Sequence, residues 1–315
     1  MNIRQLKQFV AIAQSGNISR AAKEQNISQP ALTRSLKNLE QDLGVDLIER
    51  RANGVFLTPY GEHLLGYAHC IVSDSERVRR EINAMKMGRR GQLSIGVGPA
   101  FSSKVLSPAI NQLLSQGSQL EVRLVEGFVE DLCAQLRTGA LDVVLSLFPD
   151  NCDVSDLSFS QLCEVESVLI SGPDHKLASV SRNISRDDLA RCNWVIADQK
   201  SAANSFREYL NRTEIPKDVH HIRASSLRLI KSLVLESDYL SILPRILVEK
   251  EIQNGELKAL SGPAKPLVTI GGIAWRSSGF RSPALRDFID IIERQFADGV
   301  EGQPASGNVV TALFQ

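Results

Sequence analysis

The segment from Ser28 to Gly44 constrains the fold of this 315-residue chain more than any other stretch of its sequence. A serine is a good helix N-cap, and Pro30 lies in the first turn, where a missing N–H costs nothing. A glycine suits the position just after a helix. Between these ends, leucines recur at spacings of four, three and four, at Leu32, Leu36, Leu39 and Leu43. We therefore predict an amphipathic helix that buries these four leucines.

Two shorter helices are predicted before this one. In the first, apolar residues share one helical face, at Leu6, Phe9, Val10 and Ala13. Gly16 ends that helix, and Asn17 is a good N-cap for a second one. The second helix contains the small pair Ala21 and Ala22, which lets another helix approach closely, and a turn follows at Asn26. Three helices therefore pack together at the start of the chain.

The polar face of the third helix carries side chains able to bind DNA. Gln29, Thr33 and Lys37 lie in one row at i, i+4 spacing, and Pro30 and Arg34 lie beside that row. Such groups can hydrogen-bond base edges and phosphates, and the first turn of a recognition helix points into the major groove. The alternative is an ordinary amphipathic helix whose polar face is only solvated.

Two short strands are predicted next, over Leu47 to Arg51 and Val55 to Leu57, with a turn at Asn53. This hairpin would form a wing beside the third helix. Arg50 and Arg51 are placed to contact phosphate or the minor groove. Because surface arginines are solvated in many proteins, the hairpin does not decide the function by itself.

The stretch from Asn17 to Gly61 closely resembles the DNA-binding region of LysR-type transcriptional regulators. The matching motifs are the Ala-Ala pair (Ala21, Ala22), Ser-Gln-Pro-Ala (Ser28 to Ala31), Leu-Glu (Leu39, Glu40), Leu-Gly-Val (Leu43 to Val45), Glu-Arg (Glu49, Arg50) and Leu-Thr-Pro-x-Gly (Leu57 to Gly61). So many matches in register make the resemblance highly specific. Thr33, Ile48 and Gln25 replace the usual Ser, Phe and Leu of the family, and none of these changes removes a DNA-contacting group.

The resemblance implies a winged helix-turn-helix over residues 1–58 that binds double-stranded promoter DNA. The residues expected to contact DNA are Ser19, Arg20, Ser28, Gln29, Pro30, Ala31, Thr33, Arg34, Lys37, Arg50 and Arg51. Charge agrees with this assignment, because residues 1–90 hold 14 Lys/Arg against 9 Asp/Glu, and the remainder holds 22 against 27. A basic N-terminal part beside an acidic remainder fits a DNA-binding module joined to a region with another task.

A long helix is predicted from an N-cap at Thr58 to about Met87. Its apolar and small residues follow a heptad seam, at Leu64, Ala68, Ile71, Ser75, Val78, Ile82 and Met85. The seam packs either on the chain's own domain or on a partner helix. The resemblance favours the partner, since LysR-type regulators pair through a linker helix. It implies a linker and hinge over 59–90, a homodimer through Leu64, Ala68, Ile71, Val78 and Ile82, a homotetramer, and near-palindromic DNA.

From Gln92 the pattern changes to short apolar strands separated by helices, which favours parallel α/β sheets. The strands are predicted at Leu93 to Val97, Leu120 to Val125, Val143 to Leu147, Trp194 to Ala197, Val219 to Ile222 and Leu240 to Leu243. The resemblance implies an effector-binding domain over 91–298 with two α/β subdomains similar to periplasmic solute-binding proteins. Subdomain one covers 91–161 plus 270–298, subdomain two covers 162–268, the chain crosses near 161–166 and 267–272, and 299–315 form a flexible tail. The chain is thus expected to be an α+β multidomain protein.

Loops that follow the predicted strands are candidates for the effector site, because ligands in such sheets lie at the carboxyl ends of strands. The candidate residues are Pro99, Ala100, Phe101, Ser102, Ser103, Phe128, Ser146, Gln199, Lys200, Ser201, Ala202, Ser225 and Ser226. Their hydroxyl and N–H groups suit the carboxylate of an organic acid, which is one candidate effector. Each serine can instead be a simple helix cap, and Lys200 can be solvated. Glu236 to Tyr239 also replace a usual Gly-x-Gly turn of the family.

Composition and the remaining motifs exclude several other classes of protein. The chain is 43% hydrophobic and 23% charged, with charges in its first ten residues and no apolar run able to span a bilayer, so a cytoplasmic protein without a membrane partner is expected. Gly96 and Gly98 lack the third glycine of a dinucleotide fingerprint. His220 and His221 point to opposite faces of a predicted strand, which argues against a shared metal. We find no catalytic constellation and expect neither an enzyme nor a cofactor.

Two rivals to a regulator that senses a small molecule stay open. One is a solute-binding protein without a DNA role, which the helix-turn-helix and the missing export signal both oppose. The other is a thiol redox sensor on the same scaffold, acting through Cys133, Cys152, Cys163 or Cys192. Together with Cys70 these are odd in number and widely spaced, which is typical of reduced structural thiols.

Overall fold

A computed structural model describes residues 1–51, 54–86, 91–102, 105–115, 120–180, 183–277 and 281–298, with the backbone alone at 84, 85 and 298. The helices are α1 (Ile3–Ser15), α2 (Ile18–Glu24), α3 (Gln29–Leu43), α4 (Pro59–Lys86), α5 (Leu106–Ser115), α6 (Val129–Arg137), α7 (Arg186–Ala190), α8 (Lys200–Thr213), α9 (Leu227–Glu236), α10 (Glu249–Gln253) and α11 (Pro283–Asp298). The strands are β1 (Ile48–Arg51), β2 (Gly54–Leu57), β3 (Gln92–Val97), β4 (Glu121–Glu126), β5 (Val143–Phe148), β6 (Leu157–Ser171), β7 (Asn193–Ala197), β8 (His221–Ala224), β9 (Tyr239–Pro244), β10 (Lys258–Leu260) and β11 (Val268–Arg276). The predicted turn residue Asn53, most of the predicted hinge (87–90), Ser103 and the tail 299–315 lie outside the described residues.

The predicted ends of the N-terminal helices are confirmed. Gly16 and Gly44 have φ of 61° and 72°, the left-handed conformation that favours glycine after a helix. The Asn17 side chain accepts a hydrogen bond from the backbone N–H of Arg20, and the Ser28 hydroxyl accepts one from Ala31. The local sequence therefore sets where α1, α2 and α3 begin and end.

The core of the N-terminal module contains three of the four predicted leucines of α3. Leu32, Leu36 and Leu39 are buried against apolar residues of α1 and α2. The prediction for Leu43 is wrong, because 38% of its surface is exposed. It is the last residue of α3 and lies outside that core. The regular spacing of leucines in the sequence therefore extends one leucine beyond the part of the helix that packs in the core.

The predicted wing is an antiparallel hairpin of β1 and β2, in which Ile48 pairs with Leu57 and Arg51 with Gly54. The backbone N–H of Val55 donates to the carbonyl of Gly16 at 3.0 Å, which ties the wing to the end of α1. The wing is thus held by the helical core from which it projects.

The seam of α4 divides between two environments. Ala68 is completely buried and Leu64 half-buried, both against the core of the N-terminal module. The expectation that Ala68 lies in a dimer interface is therefore wrong, because its small side chain is already covered by its own chain. Ile71, Val78 and Ile82 are exposed by 39%, 50% and 48%, so the free apolar part of the seam runs from the middle of the helix toward its C-terminal end.

The other side of α4 contacts the C-terminal region of the same chain. The Ser73 hydroxyl donates to the carbonyl of Gly139 at 2.7 Å. The carboxylate of Asp74 lies 2.7 Å from the guanidinium of Arg276, at the end of β11, and 3.3 Å from that of Arg77. The long helix is therefore joined by polar contacts to the sheet that follows it.

One continuous sheet runs through the C-terminal region in the order β4-β3-β5-β11-β6-β9-β7-β8, with β10 paired to β6. At its ends the strands are parallel (β3 with β4 and β5, and β7 with β8 and β9), whereas β6 and β11 are antiparallel to each other. β6 pairs with β11 up to Glu166, and with β9 from Ser167 onward. Two long strands thus connect the two parallel halves.

The predicted strands are found within one residue at each end, with two differences. The strand predicted at Val219 to Ile222 begins at His221 instead. The long strands β6 and β11 were not predicted as strands, although the predicted chain crossings fall on them.

Within the described residues, no helix combines the length and hydropathy needed to cross a membrane.

Candidate functional site

The outward face of α3 forms a continuous polar surface, here called the α3 surface. It consists of Ser28, Gln29, Pro30, Ala31, Thr33, Arg34 and Lys37, all exposed except the half-buried Thr33. The amide nitrogen of Gln29 lies 3.5 Å from the hydroxyl of Thr33, which confirms that the row predicted at i, i+4 spacing is formed. The surface therefore presents hydrogen-bonding groups along two turns of one helix.

The cations of the α3 surface are available for a partner. Neither Arg34 nor Lys37 makes an ion pair or a side-chain hydrogen bond with another residue in the part of the chain that is described. On the inner side of the helix, the Ser35 hydroxyl donates to Gln8 at 2.5 Å and fixes α3 on α1. The helix is thus anchored on one side and free on the other.

Glu40 positions the wing relative to α3, a role that sequence reasoning missed. Its carboxylate accepts hydrogen bonds from the backbone N–H groups of Leu47 at 2.9 Å and Ile48 at 3.4 Å. Glu40 belongs to the Leu-Glu motif of the sequence, but that motif does not show which groups its carboxylate binds. A carboxylate that bonds two backbone donors where β1 begins fixes the angle at which the wing leaves the helix.

The predicted DNA contacts of α2 and the wing are exposed, and their cations differ in availability. Arg20 donates to the carbonyl of Ser15, while Ser19 beside it is exposed. Arg51 lies 2.8 Å from Glu49 and its guanidinium stacks 4.9 Å from the ring centroid of Phe56. Arg50 has no such partner among the described residues, which makes it the freer cation of the wing.

A cavity of about 160 Å³ lies between the two halves of the C-terminal sheet. Seven of the predicted effector residues line it: Pro99, Ala100, Phe128, Ser146, Gln199, Ser201 and Ala202. They come from the loops after β3 and β4, from strand β5 itself, and from the loop after β7 with the first turn of α8, on both sides of the strands β6 and β11. The loops selected by the strand-end rule therefore converge on one cavity.

Five predicted effector residues lie elsewhere. Phe101 is completely buried and packs edge-on against Phe296 at 6.1 Å, so it belongs to the core and not to the lining. The Ser102 hydroxyl donates to the carbonyl of Pro99, and Lys200 is exposed outside the lining. Ser225 and Ser226 line a neighbouring, more open pocket instead.

The lining also contains residues that sequence reasoning missed. The polar ones are Glu130, Ser167, Ser205 and Thr269, and most of the others are apolar. Position in the first turn of the helix after β4 is a signal that could have found Glu130. Among the described lining residues none is cationic, so the expected organic acid meets no ion-pair partner in this cavity.

Two of the cysteines form a contact. Cys133 is buried and Cys152 half-buried in one apolar cluster, and the hydrogen bond from the Cys133 thiol lowers the pKa of Cys152. Burial raises the pKa of Cys163 to about 12 and also raises that of Cys192.

Across the described ranges, no three His, Cys, Asp or Glu side chains are grouped so that they could hold a metal ion.

Two family models match the chain. The model described as "Bacterial regulatory helix-turn-helix protein, lysR family" matches residues 3–62, and the model "LysR substrate binding domain" matches residues 86–297. The first match contains the α3 surface and the wing, and the second contains the cavity.

Individual proteins are similar over nearly the whole length. The HTH-type transcriptional regulator GbpR of Azospirillum brasilense is 27% identical over 91% of this chain and 84% of its own. The SDS degradation transcriptional activation protein of Pseudomonas sp. (strain ATCC 19151) is 28% identical over 82% of this chain and 84% of its own. A full-length point variant of OxyR from Pseudomonas aeruginosa has a TM-score of 0.61 at 26% identity, covering 93% of this chain and 94% of that one. CbnR, with a TM-score of 0.61 at 22% identity over 93% and 99% of the two chains, shows the likeness of fold alone.

Proposed function

The chain belongs to the LysR family of DNA-binding transcriptional regulators, and from this premise we propose that its α3 surface binds promoter DNA and its cavity binds a small-molecule effector. Members of the family are regulators and not enzymes. We propose the division of the chain into residues 1–58, 59–90 and 91–298 for binding DNA, for pairing, and for sensing. We also infer a cytoplasmic location, because promoter DNA in bacteria lies there.

The observation that carries the DNA-binding role is the α3 surface, on which Arg34 and Lys37 form no ion pair with a described residue. An exposed helix that presents amide, hydroxyl and guanidinium groups matches the donors and acceptors of base edges and phosphates. The test uses the purified full-length protein, fragmented DNA of its own genome, and sequencing of the bound fragments. A restricted set of fragments is expected, with an affinity whose logarithm falls linearly with the logarithm of salt concentration. Failure to retain any fragment at low salt would contradict the proposal.

Replacing Arg50 by alanine is expected to weaken binding about equally for all DNA sequences and to reduce the salt slope by about one, as for a phosphate contact. Replacing Arg51 is expected to have a smaller effect, because Glu49 and Phe56 already hold its guanidinium. Salt titrations by fluorescence anisotropy measure both variants. Equal losses for the two would show that the contacts of Arg51 within the wing do not persist on DNA.

We propose that the effector binds in the interdomain cavity and alters the arrangement of the two DNA-binding modules of a dimer. A ligand shifts such an equilibrium only by its difference in affinity for the two arrangements. The exposed seam of Ile71, Val78 and Ile82 on α4 supports pairing through this helix. Two modules related by a twofold axis suit near-palindromic DNA, and we extend the proposal to a homotetramer made of two such dimers.

Substituting Ala202 by phenylalanine is expected to abolish the stabilisation of the protein by cavity ligands, because a ring replaces a methyl group in the lining. A ligand that binds only the folded state raises its melting temperature, and a screen of small acids and amines on the wild-type protein identifies such ligands. The matched control is Ala134→Phe, an exposed position on α6 outside the lining. If ligands stabilise Ala202→Phe as strongly as the control, they bind elsewhere.

A second candidate function, sensing of oxidants, is favoured by the contact between the thiols of Cys133 and Cys152. Hydrogen peroxide would oxidise both thiols to a disulfide, with loss of two protons and two electrons, and would itself be reduced to water. Mass spectrometry without reductant, before and after peroxide, detects this bond, and the same samples show whether DNA binding changes. Cys152→Ser should abolish both effects, and Cys192→Ser, the control, should not. If DNA binding is unchanged by peroxide, oxidant sensing by this pair of cysteines is excluded.

A further inference from the structure

The lining of the interdomain cavity has a charge of one sign. Among its described residues Glu130 is the only one with an ionisable side chain. The cations in nearby segments are engaged or lie outside: Lys231 is 2.5 Å from Glu251, and Arg228 lines the neighbouring pocket. An anionic ligand in the cavity would therefore lie beside a carboxylate without a cation to offset the repulsion.

The position best suited to bind an anion is already taken by the protein itself. The first backbone N–H groups of a helix have no partner within the helix and attract negative charge. Here the backbone N–H of Ser201, in the first turn of α8, donates to Oε1 of Glu130 at 2.9 Å. This hydrogen bond runs from α6 in one half of the sheet to α8 in the other. The side chain of Glu130 thus occupies the place that the carboxylate of an organic acid would need.

The other oxygen of the same carboxylate is buried and has no partner among the described residues. Oε2 of Glu130 and the amide oxygen of Gln199 are both inaccessible to solvent, and neither accepts a hydrogen bond from a described residue. Both residues line the cavity. A buried acceptor without a donor is costly, and a carboxylate more so than an amide. Both oxygens are covered, so a donor on a ligand reaches them when these two side chains turn toward the cavity, whose other walls are mostly apolar.

We propose that the effector is an amine with an apolar body, whose ammonium group donates a hydrogen bond to Oε2 of Glu130. This inference rests on the proposed function of the cavity, and it sets an amine in place of the organic acid expected from sequence. The apolar body lies against side chains such as Phe206 and Leu243, which line the cavity. Glu130 also bridges the two halves of the sheet, so a ligand bound to it acts directly on the contact between them.

The test compares probes of the same shape that differ only in head group. Benzylamine, benzyl alcohol and benzoate form one set, and hexylamine, hexanol and hexanoate the other. Binding to the full-length protein is measured by calorimetry and by the shift in melting temperature. The amines are expected to bind and to stabilise the protein, and the acids are not. In Glu130→Gln the affinity for amines is expected to fall about tenfold to a hundredfold, the range for loss of a charge-assisted hydrogen bond.

The matched control is Asp131→Asn, which removes the exposed neighbouring carboxylate on the same turn of α6 and should leave amine affinity unchanged within about twofold. The comparison of amines with acids uses the wild-type protein and does not depend on how the variants fold. Binding of acids in preference to amines would overturn the inference and leave the effector cavity standing. Amine binding that is unaffected by Glu130→Gln would overturn it as well. If no probe binds a folded protein that still binds DNA, both the amine and the cavity's role as effector site fail.

Discussion

Introducing aspartate at both Val78 and Ile82 is expected to convert the proposed dimer to a monomer and to weaken binding to DNA with two half-sites about a hundredfold to ten-thousandfold. Both side chains are about half exposed on the free part of the α4 seam. Pairing of two such helices would bury these apolar side chains, whereas pairing of the variant would bury four carboxylates. A monomer contacts one half-site at a time, so it loses the gain from linking two binding events.

Sedimentation velocity gives the mass of this variant, and fluorescence anisotropy gives its affinity for DNA with one or two half-sites. The control, Asn83→Asp, adds a carboxylate to the same turn of α4 at an exposed position off the seam. The control should remain dimeric. The variant should keep its affinity for a single half-site, which shows that its N-terminal module is intact. A double variant that stays dimeric would place the interface elsewhere.

Replacing Arg34 by alanine is expected to weaken binding to the preferred promoter sequence by about 1–3 kcal/mol, roughly fivefold to 150-fold, and to relax the preference at one base position. The side chain is exposed on the α3 surface without an ion pair to a described residue. A guanidinium has the geometry for two parallel hydrogen bonds to guanine. Its loss therefore affects the matched sequence more than unrelated DNA.

The measurement is a binding selection from a pool of randomised sites, followed by anisotropy on matched and single-base variants of the preferred site. Arg286→Ala is the control, because it removes the same charge at an exposed position on α11, outside the DNA-binding module. If Arg34→Ala lowers the affinity for all sequences equally, the side chain contacts phosphate and does not read a base. An unchanged affinity at every salt concentration would remove Arg34 from the interface.

Local signals predicted the N-terminal module well. The caps at Asn17 and Ser28 and the glycines at 16 and 44 act within one turn of chain, so sequence alone was sufficient to place them. Ala68 shows the limit of such patterns, because spacing along a helix does not say which of two partners covers a given position. The N-terminal module of the same chain covers one part of the α4 seam and leaves the other part exposed, and only the three-dimensional packing shows where the division lies.

The cavity was predicted in part for a related reason. Loops such as Gly98 to Ala100 follow strands and could be found from the strand-end rule. The position of Glu130 after β4 could have marked it as a lining residue, but its bridging role could not be predicted, because that role depends on the backbone N–H of Ser201, 71 residues further along the chain. The prediction that Phe101 lines the cavity is wrong because side chains in a loop do not alternate regularly between two faces. An aromatic residue there can point either to the cavity or, as here, to the core.

Strand β11 connects the cavity to the long helix mechanically. Thr269 lines the cavity near one end of the strand, and Arg276 at the other end binds Asp74 on α4. Seven residues of extended chain span about 23 Å, and β5 and β6 hold this segment on both sides. Because this extended segment is bonded on both sides, we expect a displacement of the sheet at Thr269 to reach Arg276, and with it the helix that follows the DNA-binding module.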